Sequence, residues 1–251
     1  MNDRHRDHSE EQLIFGTRAV LEAVKAGKEF ERLFIQQGLN NPLMRELKIA
    51  LQDAGIHYLY VPQAKLQRMT SQNHQGVVGV LSSIIYQSLP EILSSVFESG
   101  QTPLLIILDR VTDTRNLGAI ARTAEGAGAH AIILPSRGSA MITGDAVKTS
   151  AGALNFIPVC REDNLKDTIE YLKDSGLSII ACTEKTNTQL KEVDLTRPCA
   201  IIMGSEENGV SGEYLKRSTD LVSIPMKGRI ESYNVSVAAG MVLYEVLRQR
   251  N

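Results

Sequence analysis

Three stretches carry residue types that can do chemistry. The first, DRVTDTRNLGAIARTAEGAG from Asp109 to Gly128, follows an apolar run. Asn116 suits a helix cap, and Arg122 falls one turn after Gly118 and Ala119, over a helix face bare of bulk. A guanidinium there has room for a phosphate or a ribose beside it. An ordinary cap and a solvated helix arginine would read the same way. The second, AIIMGSEENGVS from Ala200 to Ser211, puts Glu206 and Glu207 in a turn between Gly204 and Gly209. Paired acids suit proton transfer or a metal, but no third carboxylate or histidine lies nearby, so no metal is expected. A solvated turn before a helix starting at Ser211 remains open. The third, LVSIPMKGRIESYNVSVAAGMVLYEVLRQR from Leu221 to Arg250, opens as a strand that Pro225 stops. A polar loop, Lys227 to Asn234, leads into a helix that Asn234 can cap. That helix is apolar nearly all round and is expected to be buried on most sides. A polar loop between a strand end and a buried helix holds a ligand rigidly.

A fourth pattern is a decoy. Gly126-Ala127-Gly128-Ala129-His130-Ala131 matches the glycine fingerprint of dinucleotide sites. That fingerprint needs a strand before it and a helix after it, and here the order is inverted. A nicotinamide-dependent oxidoreductase is therefore disfavoured, and His130 reads as a strand-edge histidine.

The elements that must position these stretches fall into two series. Residues 1–12 read as a polar tail. Residues 13–86 read as a compact α/β unit: helices over Arg18–Ala26, Asn41–Gly55 and Gln63–Met69, and strands over Arg32–Gln36, His57–Val61 and Val77–Ile84. Residues 87–102 read as a linker holding a short amphipathic helix. Residues 103–251 form the second series, with strands expected at Leu104–Leu108, Ala131–Leu134, Phe156–Val159, Ser178–Cys182, Ala200–Met203 and Leu221–Ile224. Near-continuous apolar strands separated by helices imply a parallel sheet covered on both faces.

Composition narrows the classes further. The chain has 251 residues, 43% of them hydrophobic, enough for a packed core in one large domain or two smaller ones. A formal net charge of −2 means that any nucleic-acid site must be a local patch. Arg110, Arg115, Arg122, Arg137, Lys148 and Arg161, joined by Lys227 and Arg229, could form such a basic rim. Cys160, Cys182 and Cys199 form no CxxC pair, which indicates neither a disulfide framework nor a zinc site and fits a reducing cytoplasm. The amino terminus lacks an apolar signal core, and no stretch approaches the ~20 apolar residues that span a bilayer.

Taken together the three stretches resemble the signature motifs of the SpoU (TrmH) family of RNA ribose 2'-O-methyltransferases. The first matches N-x-G-x-x-x-R through Asn116, Gly118 and Arg122. The second matches G-x-E-x-x-G through Gly204, Glu206 and Gly209. The third runs Ile224-Pro225-Met226-Lys227-Gly228, then Ser232-Tyr233-Asn234-Val235-Ser236, with Tyr233 where the family usually has leucine. The resemblance covers Leu104 to Arg250. Residues 13–86 resemble, less specifically, the ribosomal-protein-type RNA-binding domain of some members, through Phe15-Gly16-Thr17 and His74-Gln75-Gly76. It implies a trefoil-knotted methyltransferase domain of the SPOUT type, a homodimer, and S-adenosyl-L-methionine as cofactor. Met203, Gly204, Ile224, Met226, Ser232 and Tyr233 would bind that cofactor. Arg122, Asn116, Glu206 and Asn234 would be the catalytic set, with Arg122 as either a base or an electrostatic group. The expected substrate is a guanosine of 23S ribosomal RNA, rather than DNA. Transfer RNA as substrate, or a non-catalytic RNA-binding protein, are the alternatives.

Overall fold

The computed structural model describes residues 13–230 and 232–251; the tail expected over 1–12 lies outside them. Two units separate, residues 13–85 with 141–144, and residues 86–140 with 145–251.

The first unit runs β1 (Leu13–Phe15), α1 (Thr17–Lys25), β2 (Phe30–Gln36), α2 (Pro42–Asp53), β3 (Leu59–Val61), α3 (Gln63–Met69) and β4 (Val77–Leu81). Its sheet has the order β1-β4-β2-β3, with only β2 and β3 parallel. Local chemistry sets the boundaries. The Asn41 side chain accepts from the Met44 amide at 2.8 Å, and Pro42 occupies the first turn of α2, where no amide hydrogen is needed. Val20, Leu21, Leu33, Ile35, Met44 and Leu47 form the apolar core where α1 and α2 meet the sheet. The strand β1 was not expected. It is only three residues long, and its pairing with β4 (Leu13 opposite Val80) is non-local.

The second unit runs α4 (Leu89–Glu98), β5 (Leu104–Leu108), α5 (Thr114–Gly126), β6 (Ala131–Pro135), α6 (Gly144–Thr149), β7 (Val159–Glu162), α7 (Leu165–Asp174), β8 (Ser178–Cys182), β9 (Cys199–Met203), α8 (Gly212–Leu215), β10 (Asp220–Val222) and α9 (Val235–Arg250). Six parallel strands take the order β10-β8-β9-β5-β6-β7. The central neighbours β5 and β9 bury every residue. At about 1.5–3 kcal/mol for each fully buried leucine or isoleucine, this pair dominates the apolar energy of the sheet. From β5 the chain proceeds to β6, on one side; from β9 it proceeds to β10, on the other. The carboxyl ends of β5 and β9 therefore open on a topological switch point, where parallel sheets bind ligands.

Four expectations change. The stretch 87–102 is more than a linker: Leu89, Ile92, Leu93 and Val96 of α4 pack into the second unit's core. The strand expected at Phe156–Val159 begins only at Val159, because a 3-10 turn occupies Ala153–Asn155 and leaves Phe156 exposed. The helix expected to start at Asn116 starts at Thr114, because the Asp113 side chain accepts from the Arg115 amide at 2.7 Å and caps it earlier. Helix α9 buries Val235, Ala238, Ala239, Val242, Leu243 and Val246 but leaves one stripe, Val237, Met241 and Tyr244, exposed.

Candidate active site

Each of the three motif stretches leaves the carboxyl side of the parallel sheet, and the structure brings them together there. Asn116 sits in the first turn of α5, 9% exposed. Glu206 lies in the loop after β9. Asn234 caps α9: its Oδ1 accepts from the Ser236 amide at 3.0 Å and from the Ser236 hydroxyl at 2.6 Å. Its Nδ2 donates to Asn116 Oδ1 at 3.1 Å and to Glu206 Oε1 at 2.6 Å. Only one orientation of the Asn234 amide satisfies both sets of partners, so the network fixes it. One side chain thus joins three segments separated by as many as 118 residues.

Glycine makes the closest pass possible. A Cβ on Gly204 would fall 2.1 Å from the Gly209 carbonyl carbon and from the Val210 nitrogen. The loop carrying Glu206 therefore folds directly back on the end of β9. A strut holds it. Asp109, 2% exposed, follows β5; its carboxylate accepts from the Ser211 amide at 2.7 Å and from Arg110 Nε at 2.9 Å. Arg110, in the left-handed region with φ 58°, also donates to the Gly209 carbonyl at 3.2 Å. The hydrogen bond to Asp109 raises the Arg110 guanidinium above its ordinary pKa. With Arg110 Nη2 as a third donor to the buried carboxylate at 3.0 Å, the β5 and β9 loops are kept in fixed register.

A cavity of about 460 Å³ opens beside this cluster. Met203, Gly204, Ile224, Met226, Ser232 and Tyr233 all line it, together with Glu206. The wall mixes methionine and aliphatic carbon with polar atoms. The Ile224 and Met226 amides, on either side of Pro225, which has no amide hydrogen, donate to no backbone carbonyl among the described residues and can face a ligand. The Tyr233 hydroxyl donates to the Pro225 carbonyl at 3.3 Å, across the loop. Tyrosine at the family's leucine position thus closes the loop on itself. A second cavity, about 360 Å³, is lined by Arg110, Asp113 and Asn116 and shares Ser205, Glu206, Glu207 and Asn208 with the first. Glu206 stands where the two cavities meet.

Arg122 is exposed on α5 and lines neither cavity. Among the described residues it has no hydrogen-bond or ion-pair partner. The bare face expected beneath it is filled: a Cβ on Gly118 would meet the Thr149 side chain at 2.8 Å and the Ser150 amide at 3.0 Å.

Three comparisons with known proteins bear on this site. The profile described as the SpoU rRNA Methylase family matches residues 103–244, and the one described as RNA 2'-O ribose methyltransferase substrate binding matches residues 13–87. The chain belongs to the SpoU/TrmH family of RNA methyltransferases. Among curated relatives of this methyltransferase, YacO of Bacillus subtilis, named for the TrmH family of tRNA/rRNA methyltransferases, is 34% identical over 95% of this chain and 96% of its own. Two solved relatives were determined with S-adenosylmethionine bound. The rRNA methyltransferase of Sinorhizobium meliloti is 28% identical with a TM-score of 0.60, covering 94% of this chain and 86% of its own. AviRb of Streptomyces viridochromogenes is 26% identical with a TM-score of 0.59, covering 95% and 90%.

Sequence reading missed several residues of this methyltransferase. Asp109 and Arg110 carried a signal, since an acid directly ending a wholly apolar strand is costly unless it is paired. Glu184 and Lys185, which line the larger cavity from the loop after β8, carried none. Cys182 lines it too, but burial pushes its thiol up to about 11, which keeps it protonated and unreactive near neutral pH.

Proposed function

We propose that this methyltransferase transfers a methyl group from S-adenosylmethionine to the ribose 2'-hydroxyl of a guanosine in 23S ribosomal RNA. The observation that carries the reading is the Asn116–Asn234–Glu206 cluster at the mouth of a half-apolar cavity. The cavity suits a cofactor with an adenine and an aliphatic chain on a sulfonium: methionine and aliphatic side chains for the apolar parts, the Ile224 and Met226 amides for the polar ones. Met203, Gly204, Ile224, Met226, Ser232 and Tyr233 are assigned to hold it.

The bound cofactor supplies an electrophilic methyl that already carries its leaving group. What remains for the chain is alignment, exclusion of water and disposal of one proton. Asn234 cannot take that proton, because both ends of its amide are committed. It fixes Glu206 instead, and leaves Glu206 Oε2 available to a ribose hydroxyl in the smaller cavity. A guanidinium keeps its proton near neutrality. Arg122 is therefore assigned an electrostatic role, steadying the developing alkoxide or the adjacent phosphate.

Arg122 sits outside the cavities of its own chain, and a second copy completes the reading. Val237, Met241 and Tyr244, spaced four and three apart on α9, present an exposed apolar stripe beside α5. We assign this stripe to a homodimer; a monomeric mass in sedimentation at micromolar concentration would overturn it. The trefoil knot is assigned on the family likeness and the tight Gly204 pass. Exposed Arg115, Arg137, Lys148, Lys227 and Arg229 are assigned to RNA phosphates. Arg110 and Arg161 leave that rim, since Arg110 is held by Asp109 and the Arg161 guanidinium stacks on Tyr86 at 3.8 Å. Three free cysteines accord with a reducing cytoplasm. Among the described residues no helix is long and apolar enough to cross a membrane.

The substrate has a second reading, because relatives are named for transfer as well as ribosomal RNA. Incubation with methyl-labelled cofactor and bulk ribosomal and transfer RNA, followed by mapping of the labelled nucleotide, decides between them. Label on a 23S guanosine ribose is expected. Label on transfer RNA moves the substrate, and label on neither ends the functional reading.

A further inference from the structure

A cavity of about 480 Å³ lies wholly within the first unit, between α3, the end of β2 and the loop 70–76. Six amide side chains line it: Gln36, Gln63, Gln67, Gln72, Asn73 and Gln75. Thr70, Ser71, His74 and Gly76 complete the wall, and no acid, lysine or arginine lines it. Among the described residues none of the six amides makes a side-chain hydrogen bond to the protein, so each keeps both its donor and its acceptor for something else.

The scaffold beneath them is fixed. His74 is buried, and its Nδ1 accepts from the Gly76 amide at 3.0 Å. The Val77 amide donates to the His74 carbonyl at 2.9 Å, and the Gln36 amide donates to the Gly76 carbonyl at 2.8 Å. Thr17 Oγ1 donates to the Gln75 carbonyl at 3.2 Å. Gln75 itself is left-handed, with φ 49°, a conformation that residues bearing a Cβ rarely adopt and that clusters at ligand sites.

The chemistry of the wall selects the ligand. Without a lysine or an arginine, and with the His74 Nδ1 already taken by the Gly76 amide, it does not suit a phosphate or a carboxylate. With no leucine, isoleucine, valine, methionine or phenylalanine in its wall it does not suit an apolar side chain. An amide offers one donor and one acceptor side by side, which is the pattern along the edge of a nucleobase. Single-stranded RNA presents bases that can be splayed out and read on those edges. The volume falls within the range of small-ligand pockets, roughly 300–1,000 Å³. We infer that this amide-lined cavity takes one unpaired base of the RNA substrate and reads its edge, so that the first unit contributes base selectivity as well as grip. This rests on the proposed RNA methyltransferase function. Arg68, next to Gln67 in α3 but outside the cavity wall, serves as a phosphate-type control.

The test uses the full chain and three probes, single-stranded oligoadenylate, oligocytidylate and oligouridylate, with binding read by fluorescence anisotropy. The wild type is expected to favour one of the three by about tenfold or more, the discrimination of one bidentate amide pair. Gln67→Ala combined with Asn73→Ala erases that preference, leaving S-adenosylmethionine binding and the thermal midpoint unchanged. Arg68→Ala weakens all three probes alike and lowers the salt dependence of binding. Equal affinities in the wild type, no binding to any probe, or a preference that survives the double variant overturns the inference. If the variant fails to fold, Gln67→Glu with Asn73→Asp, which retains shape and acceptors but removes donors, replaces it with the same criterion. The functional reading fails separately, when the wild type methylates neither ribosomal nor transfer RNA.

Discussion

The two ends of the parallel sheet are built from the same strands and hold opposite chemistry. At the carboxyl ends of β5 and β9, Asn116, Glu206 and Asn234 bond to one another through side chains, and Glu206 lines both cavities there. At the amino ends the polar groups close mainly on the backbone. Arg250 donates to the carbonyls of Leu195, Arg197, Thr102 and Pro103 at 2.9–3.2 Å. His130 is held between the Leu104 amide and Gln101. Helix α9 touches both ends, with Asn234 capping one terminus and Arg250 docked at the other. A polar group that spends most of its bonds on backbone stabilises the fold. One that bonds to another exposed side chain keeps capacity for a substrate. The comparison therefore predicts activity defects at one end and stability defects at the other.

The largest effects belong to the carboxyl end. Arg122→Ala is expected to lower turnover by about 10²–10³-fold, the range for loss of one electrostatic stabiliser. It should leave stability within about 0.5 kcal/mol, as for other exposed sites, and calorimetric S-adenosylmethionine binding unchanged. Near-normal methylation by this variant would remove Arg122 from the site. Asn234→Ala is expected to lower turnover comparably while also costing roughly 1 kcal/mol of stability through the lost cap. Single-turnover rates alongside urea denaturation separate the two losses.

The same glycine substitution sharpens the contrast. At Gly204 an added Cβ meets backbone at 2.1 Å, so Gly204→Ala is expected to cost about 3 kcal/mol or more and to distort the larger cavity. At Gly126, near the opposite end, nothing lies within 4 Å and the residue is helical. Gly126→Ala is expected to stabilise by roughly 0.4–1 kcal/mol. Equal thermal midpoints for the two variants would erase the distinction.

How much of this was legible beforehand follows the same division. The parallel sheet could be read because β5 and β9 are uninterrupted apolar runs and β8 nearly so. The union of Asn116, Glu206 and Asn234 could be anticipated only from the motif resemblance, since 118 residues separate the outer pair and no local pattern joins them. The start of α5 was misplaced because Asp113 and Asn116 are both good caps; Asn116 is instead drawn into the first turn as Asn234's partner. The bare face under Arg122 was misread because α6, which fills it, is distant in sequence. Strand β1 was missed because three residues carry too little periodicity.

At the amino end Arg250→Ala should be the converse of Arg122→Ala. Removing the guanidinium leaves several carbonyls without a donor at the foot of β5 and β9. A loss of roughly 2–4 kcal/mol is expected from broken and unsatisfied hydrogen bonds. Turnover per folded molecule should be unchanged in mild conditions. A variant of normal stability but low turnover would mean that α9 transmits strain from one end of the sheet to the other.

The smallest effect is a pH dependence at His130. Its Nδ1 accepts from the Leu104 amide at 3.1 Å, so the native tautomer carries its proton on Nε2, facing Gln101 Oε1 at 2.9 Å. Burial holds the imidazole below its ordinary pKa, and the nearby positive charge of Arg250 acts in the same direction. A depressed native pKa means that the neutral form is the folded form. Its contribution is complete above the unfolded value of about 6.5 and is lost as pH falls through the native value. Urea denaturation at stepped pH is expected to show the wild type losing more stability on acidification than His130→Gln, with S-adenosylmethionine affinity per folded molecule the same in both. An affinity that followed the His130 titration would place this residue in the chemistry of the opposite end, and the two ends would no longer be separable.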